Sequence, residues 1–164
     1  MHNHPFIQND SGLYELSTPA SPDDIVSAAT GILYMELTQR EAMTRPEDAG
    51  QFLQLELARE KNEHFSVLFL NSRHRVLAFE RLFHGTIDSS AVHPRVVVQR
   101  ALEHNAATVI LAHNHPSDCC EPSEADRRIT RRLIDALTLV DIRVLDHLIV
   151  SRAEWASLAE RGLL

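Results

Sequence analysis

Thr108-Val109-Ile110-Leu111-Ala112 is a run of β-branched and apolar residues that ends directly on His113-Asn114-His115-Pro116. A segment apolar on both sides of its pleat is satisfied as a buried strand of an α/β sheet. This constrains the chain more than any other feature, because it sets two histidines at the carboxyl end of a rigid element, where open α/β sheets hold their sites. Eleven residues after His115 stands Asp126, within Ser123-Glu124-Ala125-Asp126, a hydroxyl followed by acids that reads as a helix start. Ile129, Leu133, Ile134, Leu137 and Val140 form the apolar stripe of that helix, and Ile142 to Val150 alternates loosely as a further strand.

His113 and His115, two apart in an extended segment, point to the same side. Two neutral imidazoles and the Asp126 carboxylate, presented from the first helical turn, make a three-ligand set of N, N, O type. Such a set leaves the fourth tetrahedral corner of Zn²⁺ open, the arrangement of catalytic rather than structural zinc. It suits Zn²⁺ better than Mg²⁺, and Mn²⁺, Fe²⁺ or Co²⁺ would also fit. A hydrolase built on it needs a base for the water proton and a donor to steady an oxyanion.

The remaining chain is read as the support of this loop. At 164 residues, 44% hydrophobic and 24% charged, it suits one domain of ordinary size. Residues 1–20, rich in Asn, Asp, Ser, Gly and Pro, read as a mobile arm whose His2 and His4 only imitate the central motif. Ser21-Pro22-Asp23-Asp24 opens a helix reaching about Met43, with Ile25, Ala29, Leu33 and Leu37 on one face. Thr44-Arg45-Pro46 opens another to about Arg59 or Lys61. This helical segment, 21–61, is expected to pack or to dimerise. From residue 62 the domain itself begins, with a hairpin of Phe65 to Leu70 and Val76 to Phe83. Glu80, inside the second strand, either faces the surface or is held in a cleft with a raised pKa. His93-Pro94 opens a helix that Asn105 ends, and the tail from Ala153 is expected to be a short helix.

No apolar run is long enough to span a bilayer, and the chain start has no signal-peptide pattern, so a cytoplasmic protein is expected. The two cysteines, Cys119 and Cys120, are adjacent and imply no disulfide framework. In the metal loop they are ordinary thiols, or one is a thiolate occupying the open position. A net charge of −7 argues against affinity drawn from many phosphate contacts, and Arg127-Arg128 with Arg131-Arg132 is the best basic patch. A zinc deaminase is disfavoured because no Pro-Cys-x-x-Cys follows the first ligand.

His113-x-His115, seven residues to Ser123 and two more to Asp126 resemble the JAMM motif of MPN/JAB-domain metalloproteases, which include isopeptidases that remove ubiquitin-like modifiers. Glu80-x-Leu82-Phe83-x-Gly85-Thr86, Val92-His93-Pro94-Arg95, Pro122-Ser123-x-x-Asp126 and Asp146-His147-Leu148-Ile149-Val150 are together similar to the RadC branch over roughly residues 60–164, in a short form without the helix-hairpin-helix domain. The resemblance implies a cytidine-deaminase-like α/β MPN fold and zinc on His113, His115 and Asp126. It further implies a peptide or isopeptide hydrolase with Glu80 as general base and Ser123 as oxyanion donor. Ser123 is also a helix cap, and one hydroxyl cannot fully serve both. Asp118 stands where such chains usually carry glycine, adding a negative charge near the metal. His147 is either a satisfied strand histidine or a support of the site. The rival classes are a DNA-associated repair or mobile-element accessory protein and a metal-free scaffold.

Overall fold

A computed structural model of the chain describes residues 5–39, 42–43, 46–85, 92–117 and 119–164. Helix α1 (Pro22–Gln39) and helix α2 (Pro46–Leu57) each begin on proline with two acids in the first turn, as their sequence grammar requires. Strands β3 (His64–Leu70) and β4 (Val76–His84) form the expected hairpin. They follow a short hairpin of β1 (Phe6–Gln8) and β2 (Tyr14–Leu16) in the segment read as an arm. There Gly12 takes φ +80 and the Asn9 carboxamide accepts from Ser11 N and Leu13 N, so a side chain builds the turn. His2 and His4 lie outside the described residues.

Helix α3 (Pro94–Glu103) leads to β5 (Thr108–Asn114), and Asn105, at φ +53, turns the chain between them. Helix α4 (Glu124–Thr138) leads to β6 (Arg143–Val150). The tail forms a strand, β7 (Trp155–Ser157), and not the helix expected. Its three residues pair with Leu148 to Val150, and the buried Asp146 carboxylate holds the turn by accepting from Ser157 Oγ at 2.6 Å and Ala159 N at 3.0 Å. Partners distant in sequence outweigh the helical pattern.

The sheet runs β4-β3-β5-β6-β7, antiparallel except where β5 and β6 lie parallel. Parallel neighbours need a crossover, and α4 is that crossover. The loop from the carboxyl end of β5 to the start of α4 therefore stands at one end of the sheet. One sheet face is covered by α2, through Phe52, Leu53 and Leu57 against Leu68, Ile110 and Leu148. The other is covered by α3 and α4, through Val97, Ala101, Ile129, Leu133 and Leu137 against Val67, Val109 and Leu111. Helix α2 thus shares the core of the sheet. Gly50 permits its approach to β7, since a Cβ there would lie 2.5 Å from Trp155 Cε2. No helix among the described residues is long and apolar enough to cross a membrane.

Candidate metal centre

Strand β5 carries His113 in its ladder, opposite Phe65 of β3 and Ile149 of β6, with the ring on the face covered by α3 and α4. His115 follows as the chain leaves the sheet, and Asp126 comes from the first turn of α4. One ligand atom from each of the three lies within 4.8 Å of the others, the only such group of three or more among the described residues. His113 Nε2 stands 2.9 Å from His115 Nε2 and 3.3 Å from Asp126 Oδ1, and His115 Nε2 is 3.5 Å from Asp126 Oδ2. His113 and Asp126 are almost wholly buried, while His115 keeps some exposure.

The protons of these groups are committed elsewhere. His115 Nδ1 lies 2.7 Å from the Cys119 carbonyl, which can only accept, so that nitrogen carries the hydrogen and Nε2 presents its lone pair. His113 Nδ1 lies 2.8 Å from His147 Nε2. Burial pushes the Asp126 carboxyl up, but the adjoining His113 and His115 imidazoles and the Ser123 hydrogen bond outweigh it and hold the group well below the usual carboxylate range. Burial lowers His113, the Asp126 carboxylate beside it raises His115, and burial together with the charge of His113 puts His147 well below an ordinary histidine. Two imidazole lone pairs and a carboxylate converging on one point form a donor set that a divalent cation fits.

Ser123 is the N-cap of α4 in a full capping box. Its hydroxyl donates to Asp126 Oδ2 at 2.6 Å and accepts from Asp126 N at 3.2 Å, while Ser123 N donates to the same carboxylate oxygen at 2.7 Å. The cap therefore also aims Asp126 at the histidines. Asp118 lies outside the described residues. Cys119 is exposed, and Cys120 is buried with Sγ 3.3 Å from the Glu154 carbonyl and its thiol pushed up by burial. Neither sulfur belongs to the ligand cluster.

Glu80 requires a correction, because the structure does not bring it to the cluster. It pairs with Val67, which faces Leu111, two residues before His113, so it stands lower on the sheet and two strands away. Arg100 and His104 of the α3 end take its carboxylate, Arg100 Nε to Oε2 at 2.7 Å and His104 Nε2 to Oε1 at 2.7 Å. The Arg100 hydrogen bond outweighs burial and, with His104, brings it down to about 2, far too acidic to accept a proton near neutral pH.

A different carboxylate, Glu63, acts electrostatically on the cluster. The antiparallel register of β3 on β5 ends with Phe65 opposite His113, so Glu63, two residues before Phe65, leaves the sheet at the same end as His115. Its charge acts on both His113 and His115, favouring the protonated form of each. Asn114 secures this segment, accepting from His64 N at 2.8 Å and donating to Asn62 O at 3.0 Å. Glu63 escaped the sequence reading because it precedes the apolar run. Asn114, between the two histidines, was the available signal, since its side chain leaves the metal side and must serve something else.

A mixed sheet with α4 as crossover, carrying two histidines at the end of β5 and an aspartate on the following helix, defines a JAB-type domain. Residues 43–163 match the family model of the RadC-like JAB domain, and the chain belongs to that family. Among similar proteins, the UPF0758 protein of Alcanivorax borkumensis is 58% identical over 120 residues, covering 73% of this chain and 54% of the relative. The UPF0758 protein of Nitrosococcus oceani is 59% identical over 128 residues, covering 78% and 57%. The matched part thus spans little more than half the length of these relatives.

Proposed function

We propose that the chain is a Zn²⁺-dependent hydrolase of peptide or isopeptide bonds. The observation that carries this reading is the convergence of His113 Nε2, His115 Nε2 and the Asp126 carboxylate at 2.9 to 3.5 Å, with the imidazole protons committed on the far sides of the rings. Zn²⁺ in such a site supplies Lewis acidity, acidifying water toward a pKa of about 7 and polarising a carbonyl oxygen. Glu63, whose charge acts on both His113 and His115, takes the proton of the attacking water and returns it to the leaving amine. Ser123 turns its hydroxyl proton from Asp126 to the developing oxyanion, while its backbone N–H keeps Asp126 in place. The site lies at the end of the sheet, and of the three clustered side chains only His115 keeps some exposure, so a substrate reaches it from that side.

Glu63→Gln tests this reading on a panel of peptide and modifier-linked substrates. It should keep the metal of the wild type and lose hydrolysis by about 10² to 10⁴-fold. Cleavage by Glu63→Gln at the wild-type rate would refute the assignment. A second reading, an accessory protein that binds nucleic acid, draws on Arg127, Arg128, Arg131 and Arg132, all exposed on α4. It predicts salt-sensitive DNA binding that a charge-removal variant of these four loses.

A further inference from the structure

His147 is wholly buried behind the metal ligands, in contact with His113 on one side and Thr130 of α4 on the other. The hydrogen bonds around it admit one arrangement of protons. The Asp126 carbonyl has no proton to give, and Thr130 Oγ1 lies 2.6 Å from it, so the threonine hydroxyl donates there. Having spent its only proton, Thr130 Oγ1 accepts from its other neighbour, His147 Nδ1, also at 2.6 Å. His147 Nε2 is then the bare nitrogen, and it accepts from His113 Nδ1 at 2.8 Å. His113 Nε2 is left with its lone pair toward His115 and Asp126.

We infer that His147 and Thr130 are positioning residues that fix the tautomer of His113, in a closed relay running from the Asp126 carbonyl through Thr130 and His147 to His113. Asp126 thus acts twice, its carboxylate as a ligand and its backbone oxygen as the reference that orients another ligand. The relay is rigid by packing. Phe65 lies parallel to the His113 ring, at 9° and 6.3 Å between centroids, and meets the His147 ring edge-on at 5.5 Å. Thr130 and Asp126 are on successive turns of α4, so one helix sets both ends of the loop of hydrogen bonds. A metal-bound imidazole whose second nitrogen has a fixed partner is oriented and more basic, and loss of such a partner typically costs about 10- to 100-fold in metal affinity. Asp146 does not join the relay; it accepts from His147 N at 2.7 Å and fixes the strand instead.

The inference rests on the proposed metal site, and two readouts separate it from that reading. In the metal-free wild type, nitrogen NMR of the imidazoles should show His147 and His113 each protonated at Nδ1 and bare at Nε2. A His147 ring protonated at Nε2 overturns the relay whether or not metal binds. In Zn²⁺ titrations, Thr130→Val and His147→Phe should bind about 10- to 100-fold more weakly than wild type, and Thr130→Ser should restore affinity to within about threefold. Wild-type affinity in Thr130→Val also overturns the relay. Thr130→Val keeps the size of the side chain, so it decides the matter if His147→Phe fails to fold. A wild type that binds no Zn²⁺ instead refutes the metal reading, with the tautomers still readable.

Discussion

Arg100 donates from Nε to Glu80 Oε2 at 2.7 Å, tying β4 to the end of α3. The pair gives Glu80 a structural task away from the ligand cluster. Its folded pKa, about 2, is depressed from 4.5, so its stabilisation is present above pH 4.5 and is lost as the pH falls toward 2. Glu80→Gln should therefore destabilise the protein at pH 7 by about 1 to 2 kcal/mol in urea unfolding, discounted for the partial exposure of Arg100. The deficit relative to wild type should shrink steadily below pH 4.5. Hydrolysis should stay near the wild-type rate. A large loss of turnover in a folded, metal-loaded Glu80→Gln would return the base to this position.

Asn114 lies between His113 and His115, yet its carboxamide holds the backbone on either side of Glu63, at His64 N and Asn62 O. Asn114→Ala should leave metal affinity within about threefold of wild type while lowering turnover by about tenfold or more, because a base displaced by about 1 Å loses its reach. Zn²⁺ titration beside a kcat measurement separates the two effects. Equal losses in both would make Asn114 a support of the ligands instead.

Ser123 joins the cap to the site. Ser123→Ala removes the hydroxyl that contacts Asp126 Oδ2 at 2.6 Å, and should cost about 1 kcal/mol of stability from the lost cap. As an oxyanion donor, its loss should also lower kcat by about 10² with little change in KM. Ser123→Thr, which keeps the hydroxyl, should recover most of both. A Ser123→Ala variant with reduced stability and full kcat would confine the residue to capping.

The parts of the site legible in the sequence were those set by local rules. An apolar run, a histidine at period two, and a hydroxyl with an acid three residues later each mark an element and the side it presents, so β5, α4 and the cluster of His113, His115 and Asp126 could be placed together. Register obeys no such local rule. Glu80 and Glu63 both stand in or beside apolar strands of one hairpin, and only the pairing of β3 with β5 decides which of them lies toward the His113 end of the sheet. The register shift between Phe65 and Ser66 adds to this, because it displaces β4 relative to any ideal alternation. His147 was legible as a histidine on a buried strand, but its neighbours His113 and Thr130 come from two other elements. The tail was missed for the same reason, since Trp155 to Ser157 form a strand only because the edge of β6 is there to pair with.

The ligand set itself is tested most directly by titrating metal-free protein with Zn²⁺ by calorimetry, in parallel with Asp126→Ala. One ion should bind per wild-type chain, at micromolar concentration or tighter, with an affinity at least about 10²-fold weaker in the variant. A wild type that takes up no ion, or an Asp126→Ala protein that binds as tightly, would contradict it.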